Sequence, residues 1–64
     1  MEADIIASNH GSIFTFLPLT EVGTQWIEDN LPEDRLTLGD AVCVEHRYAP
    51  AIYDGMVNDG LVVE

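Results

Sequence analysis

The sequence predicts a small α+β domain, a miniature of the ferredoxin-like β-α-β-β-α-β split pattern in which two helices cover one face of a short sheet. Two observations predict this fold. Segments 21–30 and 49–58 carry apolar residues at helical spacing, and each has a start signal and a stop signal. Around them lie short β-branched or aromatic segments that are typical of strands, at 12–17, 35–38, 41–45 and 61–63.

The N-terminal residues 1–11 allow two interpretations, an arm or a short extra strand, ahead of a single domain at 12–64. Ile5, Ile6 and Ala7 would supply the strand. The residues that follow, Ser-Asn-His-Gly, predict a turn because Asn and Gly tolerate positive φ.

The segment 12–17 predicts the first full strand, and Pro18 ends it. Because side chains alternate along a strand, Phe14 and Phe16 share one face. We expect that aromatic face to pack in the core. Three residues share the opposite face: Ile13, Thr15 and Leu17.

The first helix is predicted to begin after Thr20, which has the side chain of a good N-cap, and to stop before Pro32. Gly23 should weaken this helix by about 1 kcal/mol relative to alanine, unless it allows a close approach to a neighbour. The residues predicted to form the inward stripe are Leu19, Val22, Trp26 and Ile27.

The hairpin at 35–45 allows two registers, which place different residues on the core face. A two-residue loop, Gly39-Asp40, pairs Leu38 with Ala41 and puts Leu36 and Leu38 on the Cys43 face. A three-residue loop pairs Leu38 with Val42 and gathers four large apolar side chains on one face. We expect the three-residue loop, because it buries more apolar surface.

The second helix is predicted at 49–58, with Pro50 in its first turn and Gly60 as its stop. Its apolar residues recur with the spacing of one helix face: Ala49, Ile52, Tyr53, Met56 and Val57. The segment 61–63 should form a last short strand.

The charge is the unusual feature of the composition. Twelve acidic residues stand against Arg35 and Arg47, so the net charge is −10, and lysine is absent. Such a field repels nucleic acid and anionic membranes and attracts basic protein surfaces. Cys43 is the only cysteine, which excludes an internal disulfide and fits a reducing compartment. The first residues lack the pattern of a signal peptide, so we expect a cytoplasmic protein.

The sequence carries no recognisable catalytic or metal-binding motif. Cys43 and His46 are three apart, and on a strand such residues point to opposite faces, which disfavours a shared ligand. The adjacent carboxylates at 28–29 and 33–34 would need a concave site to act as acid and base. We therefore expect no enzyme activity, no cofactor and no metal.

Two stretches resemble small uncharacterised proteins of tailed phages and proteobacteria. The first is F-x-P-L-T-x-x-G-x-x-W-I at 16–27, and the second combines V-E-H-R-Y with G-M-x-x-D-G-L-x-V between 44 and 63. The resemblance spans most of the chain. It implies a phage or mobile-element accessory protein and carries no chemistry.

We expect an acidic interaction module that binds and blocks a basic surface of a host protein, such as a nucleic-acid-binding one, without binding nucleic acid or membrane itself. The carboxylates predicted to bind this partner are Glu21, Glu28, Asp29, Glu33, Asp34 and Asp40. The alternative is a structural protein that forms a homodimer through an uncovered sheet face. The residues predicted for self-association are Ile13, Thr15, Leu17 and Cys43.

Overall fold

The computed structural model describes residues 2–64, which form one antiparallel sheet and two helices. The elements in chain order are β1 Ile5–Asn9, β2 Ile13–Pro18, α1 Glu21–Asn30, β3 Leu36–Leu38, β4 Ala41–Glu45 and α2 Ala49–Asn58. A single 3₁₀ turn at His46–Tyr48 leads from β4 into α2. The predicted α+β class is confirmed.

The sheet has the order β1-β2-β4-β3, and every neighbouring pair is antiparallel. The predicted last strand is reduced to one bridge, in which Val63 lies parallel to Ile5. Backbone hydrogen bonds hold this C-terminal segment against β1, among them Ala7 N–H to Glu64 C=O at 2.7 Å and Glu64 N–H to Ile5 C=O at 3.0 Å.

The N-terminal strand β1 is the main departure from the predicted order. The split pattern places its first strand between the third and the last. Here β2 takes the place of that first strand beside β4, and β1 lies between β2 and the C-terminal segment. Ile5 of β1 has no exposed surface, so this strand contributes directly to the core.

Both helices pack on the same face of the sheet, as predicted. The register places Ile5, Phe16 and Val42 on that face, and all three are at least 97% buried. They share one core cluster with residues from the two helices and the C-terminal segment: Ile27, Ala49, Met56 and Leu61. Phe14 packs against the edge of this cluster, so the aromatic face of β2 is the core face.

Helix α1 has the predicted bounds and the predicted cap, but a different buried stripe. The Thr20 hydroxyl accepts the Gly23 N–H at 3.1 Å. Gly23 and Ile27 are buried, whereas Val22 is 59% exposed and Leu19 is also exposed, so the predicted stripe is wrong at these two positions. The helix turns a different side to the core from the predicted one, because β1 lies against it. A Cβ at Gly23 would come within 2.5 Å of the Asp4 carbonyl oxygen.

Helix α2 also has the predicted bounds, and Gly60 ends it at φ +90°. The Gly60 N–H donates to Val57 C=O at 3.0 Å, and the Leu61 N–H donates to Met56 C=O at 3.0 Å. This pair of bonds is the Schellman motif. It turns the chain so that Leu61 enters the core.

The hairpin has the two-residue loop, and the preferred three-residue register is wrong. Leu38 pairs with Ala41 and Leu36 pairs with Cys43. The reason is the turn itself. A two-residue turn with glycine at its first central position is one of the tight turns whose twist matches a hairpin, and Gly39 has the positive φ, +62°, that it requires. Turn geometry therefore outweighs the burial of two leucines.

Candidate protein-interaction surface

The face of the sheet opposite the helices is the candidate surface, and we call it the open face. By the strand registers, its residues are Ile6, Ser8, Ile13, Thr15, Leu17, Leu36, Leu38, Ala41, Cys43 and Glu45. The four residues predicted for self-association, Ile13, Thr15, Leu17 and Cys43, therefore do share one face. Leu36 and Leu38 join them because of the two-residue loop.

Exposure on the open face increases from its centre to its edge. Thr15, on the central strand β2, is buried, whereas Ile13, Leu17 and Cys43 are half-buried. On the edge strand β3, Leu36 is 73% exposed and Leu38 is 70% exposed. Large apolar side chains at such exposure are unusual when they are contiguous, and contiguous apolar patches mark interaction sites.

The four strands hold almost no charge. Glu45, at the end of β4, is the only charged residue within their bounds. The remaining carboxylates lie on the helices, in the turns and near the termini. The sheet is therefore nearly uncharged, whereas the helices, turns and termini are strongly acidic.

Carboxylates border the open face on several sides, and we call them the rim. Glu2 and Glu64 line a shallow depression together with Ile6 at the β1 side. Asp34 precedes β3, Asp40 lies in the β3–β4 turn, and Glu45 stands opposite Ile13. All five rim residues are exposed: Glu2, Asp34, Asp40, Glu45 and Glu64. An apolar centre with a polar border is the usual anatomy of a protein interface.

The six carboxylates predicted to bind a partner do not form one cluster. Glu28, Arg35 and Asp40 line one depression of about 290 Å³ between α1 and β3. Arg35 forms an ion pair with Glu28 and also donates to Pro32 C=O at 2.9 Å. Glu21 lies at the other end of α1, about 10 Å from Glu28 along the helix axis.

The other members of that predicted set differ in their contacts. Asp29 accepts a hydrogen bond from the Gln25 side chain at 2.9 Å. Glu33 and Asp34 are exposed in the turn before β3. Of the six, Asp34 and Asp40 border the open face. The predicted set left out the rim residues Glu2, Glu45 and Glu64. Glu45 ends β4, which was predicted, whereas Glu2 and Glu64 are brought to this face by the positions of β1 and the C-terminal segment.

Both arginines of the chain are engaged with glutamates. Arg35 pairs with Glu28, and Arg47 pairs with Glu45 at 3.2 Å. The second pair is exposed on both sides, and such pairs contribute about 0–1 kcal/mol. Self-repulsion among the remaining carboxylates should therefore dominate the long-range electrostatics of the fold.

Added salt should consequently stabilise the protein. Raising the ionic strength from about 0.01 M to about 0.15 M shortens the Debye length from ~30 Å to ~8 Å and screens this repulsion. We expect the melting temperature to rise by a few degrees, as measured by circular dichroism. A melting temperature that falls over this range would mean that the two ion pairs outweigh the repulsion.

Asp4 ties three parts of the fold together. Its carboxylate accepts the Val62 N–H at 2.9 Å and the Thr20 hydroxyl at 2.8 Å. Its backbone C=O accepts the Leu19 N–H, and its N–H donates to Val62 C=O, both at 2.8 Å. The Val62 N–H, and after it the Thr20 hydroxyl, hold the pKa of the Asp4 carboxyl below its ordinary value, although partial burial opposes them.

The Asp4 contacts give stability a defined pH dependence. Since the folded pKa lies below the unfolded one, the contribution of Asp4 is complete above about pH 4 and is lost as the pH falls through the folded pKa. An Asp4→Asn variant should therefore be less stable than the wild type at pH 7. The difference in free energy of unfolding between the wild type and the variant should become smaller below pH 4. Chemical denaturation at pH 7 and below pH 4 measures this difference. A difference that does not depend on pH would contradict the stabilising role of the Asp4 carboxylate.

Cys43 and His46 lie on opposite sides of the sheet. The His46 ring lies 5.5 Å from the Phe14 ring on the helix side of the sheet, whereas Cys43 is on the open face. Within residues 2–64, no three His, Cys, Asp or Glu side chains lie close enough to hold a metal ion. Over the same residues, no helix has the length and hydrophobicity needed to span a membrane.

A groove of about 600 Å³ adjoins the open face where β3 ends. It forms because β3 covers β4 only as far as Cys43, so that Val44 and Glu45 pair with β2 on one side and have no strand on the β3 side. Its other wall comes from α2 and the turn before it, through Tyr48, Ala51 and Ile52. The groove thus extends the apolar surface around the edge of the sheet.

The fold and the surface define a small acidic α+β domain with an uncovered apolar sheet face. No protein-family model matches this chain, and neither does a curated protein or a solved structure. The resemblance of residues 16–63 to small phage and proteobacterial proteins therefore stays a prediction.

Proposed function

We propose that this protein is a non-enzymatic interaction module that binds a basic protein partner through its open face. The observation that carries the proposal is the uneven distribution of charged residues over the surface. The open face is apolar and nearly uncharged, and five carboxylates border it. A partner with an apolar patch ringed by Lys or Arg would complement both features.

The two features would make different contributions to binding. Burial of an exposed leucine contributes about 1.5–3 kcal/mol, so Leu36 and Leu38 would supply most of the affinity. The rim would steer the approach of a basic partner and reject acidic ones. Since carboxylates can occupy sites built for phosphates, we further propose that the partner is a nucleic-acid-binding protein whose basic surface is blocked.

A titration with three synthetic peptides tests this proposal. The first is an amphipathic helix of lysine and leucine, the second replaces its leucines with serine, and the third replaces its lysines with glutamate. We expect the Lys/Leu peptide to shift the amide signals of Ile13, Leu17 and Cys43 and to slow alkylation of the Cys43 thiol. Equal binding of the Lys/Ser peptide, or shifts confined to the helices, would contradict a role for the open face.

Self-association through the same face is the second candidate, and the exposure of Leu36 and Leu38 favours it. A chain this small gains from oligomerisation. The two candidates differ in their response to salt. A homodimer brings two acidic rims together and tightens as salt screens them, whereas a complex with a basic partner weakens.

Sedimentation distinguishes a homodimer from a monomer directly. If the open face mediates self-association, Ile13→Glu or Leu17→Glu should make the protein monomeric, because each buries a charge in the contact. Gln25→Glu, on the exposed side of α1, is the matched control and should leave the dimer intact. A wild type that stays monomeric at high concentration and in high salt would exclude this candidate.

A further inference from the structure

The free edge of β3 exposes backbone hydrogen-bonding groups as well as two leucine side chains. In the part of the chain that the structure describes, β3 is the last strand on its side of the sheet. Its three residues are all exposed. Unpaired strand edges recruit extended segments of other chains, and main-chain hydrogen bonds then supply part of the affinity.

The register defines which backbone groups are available. Leu38 and Ala41 flank the two-residue loop and form a hydrogen-bonded pair, and so does the pair Leu36–Cys43 two residues further on. Leu36 and Leu38 therefore direct their N–H and C=O groups toward β4. Thr37, between them, directs its N–H and C=O away from the sheet.

The side chains along this edge follow a fixed pattern. Leu36 and Leu38 lie on the open face on either side of Thr37. Asp34 precedes this group and Asp40 follows it, and both are exposed. An antiparallel strand centred on Thr37 would place one residue opposite each leucine, and its two ends would extend toward the turns that hold Asp34 and Asp40.

We propose that β3 binds a partner by strand addition, and that the partner segment carries the alternation basic-x-apolar-x-apolar-x-basic. The apolar residues would pack beside Leu38 and Leu36 and extend the open face. The basic residues would face Asp40 and Asp34. This inference rests on the proposed function, since it names how a basic partner is engaged.

A second copy of this chain fits the same edge poorly. Antiparallel pairing of two β3 strands about Thr37 would place Asp34 of each copy near Asp40 of the other. Like charges opposite each other destabilise a strand pair. The two aspartates thus disfavour pairing between copies and favour a basic strand.

Two peptides and one variant test the proposal. The probe is the peptide Lys-Thr-Val-Thr-Val-Thr-Lys, with blocked ends, and its control carries an N-methyl group on the central residue, which removes the donor facing Thr37. We expect the probe to shift the amide signals of Leu36, Thr37 and Leu38. N-methylation, or Thr37→Pro in the protein, should weaken binding about two- to tenfold for each hydrogen bond lost.

Thr37→Pro is a suitable variant because proline is tolerated on an edge strand where its missing N–H would face solvent. The variant should still bind the amphipathic Lys/Leu helix, which contacts the open face and not the edge. Binding of the strand peptide that survives both N-methylation and Thr37→Pro would overturn strand addition. If the strand peptide does not bind but the Lys/Leu helix does, strand addition is wrong and the proposed function stands. If neither peptide binds, both strand addition and the proposed function are wrong.

Discussion

A Gly23→Ala variant should melt roughly 10 °C below the wild type. Helix propensity alone predicts the opposite, because alanine is favoured over glycine by about 1 kcal/mol within a helix. The structure places the new Cβ 2.5 Å from the Asp4 carbonyl oxygen and 3.0 Å from the Ile5 side chain. Relieving this overlap requires β1 and α1 to separate, and overpacking of this kind costs about 1–3 kcal/mol.

Val22→Ala is the matched control for this variant. It introduces the same residue one position earlier, where the side chain is 59% exposed. Its effect on the free energy of unfolding should stay within about 0.5 kcal/mol. If Gly23→Ala instead raised the melting temperature as much as helix propensity suggests, β1 would not lie against α1, and the position of the whole N-terminal strand would be wrong.

Leu38→Lys should weaken binding of the Lys/Leu peptide by about tenfold or more, the equivalent of at least ~1.4 kcal/mol. The substitution removes an exposed anchor from the open face and puts a positive charge among groups that meet a basic partner. Because Leu38 is 70% exposed in the free protein, the fold itself should tolerate the change. Fluorescence anisotropy of a labelled peptide measures the effect.

Val22→Lys provides the control for charge. It makes the same change in net charge and also replaces an exposed apolar residue, but it does so on α1, away from the open face. We expect it to alter the dissociation constant by no more than about twofold, through the overall field. Similar losses for the two variants would show that net charge controls binding and that the open face has no part in it.

The helices could be predicted from the sequence because their signals are local. Thr20 caps α1 through a residue three positions on, and Gly60 ends α2 through bonds to the preceding turn. Phe14 and Phe16 also identified the core face of β2, since alternation along one strand decides it. None of these features depends on a distant part of the chain.

The parts that the sequence left open or misplaced depend on long-range pairing. Strand β1 carries Ser and Asn in its second half, which weakens its strand signal, and only its pairing with β2 and with the C-terminal segment fixes it. The buried stripe of α1 was misplaced for the same reason, because Gly23 is buried by β1 and not by its own helix. Gly23 was the local signal for this contact, because a glycine within a helix lets a neighbouring segment approach closely.

The hairpin register was missed because burial was given more weight than turn chemistry. Gly39 at the first loop position is the local signal for a two-residue turn. Following it would have placed Leu36 and Leu38 on the open face and revealed the most exposed apolar residues of that surface. Only part of the rim could have been found in the same way. Asp34, Asp40 and Glu45 flank the hairpin strands, whereas Glu2 and Glu64 depend on where β1 and the C-terminal segment lie.

The decisive measurement is the salt dependence of binding to the Lys/Leu peptide. Recognition of a basic apolar partner by an apolar face ringed with carboxylates has a defined response to salt. It predicts that the dissociation constant rises steadily from low ionic strength to about 0.15 M and beyond, as the rim is screened. It also predicts that Lys/Leu binds more tightly than Lys/Ser at every salt concentration. A dissociation constant that is unchanged or falls with added salt, or equal affinities for the two peptides, would contradict this form of recognition.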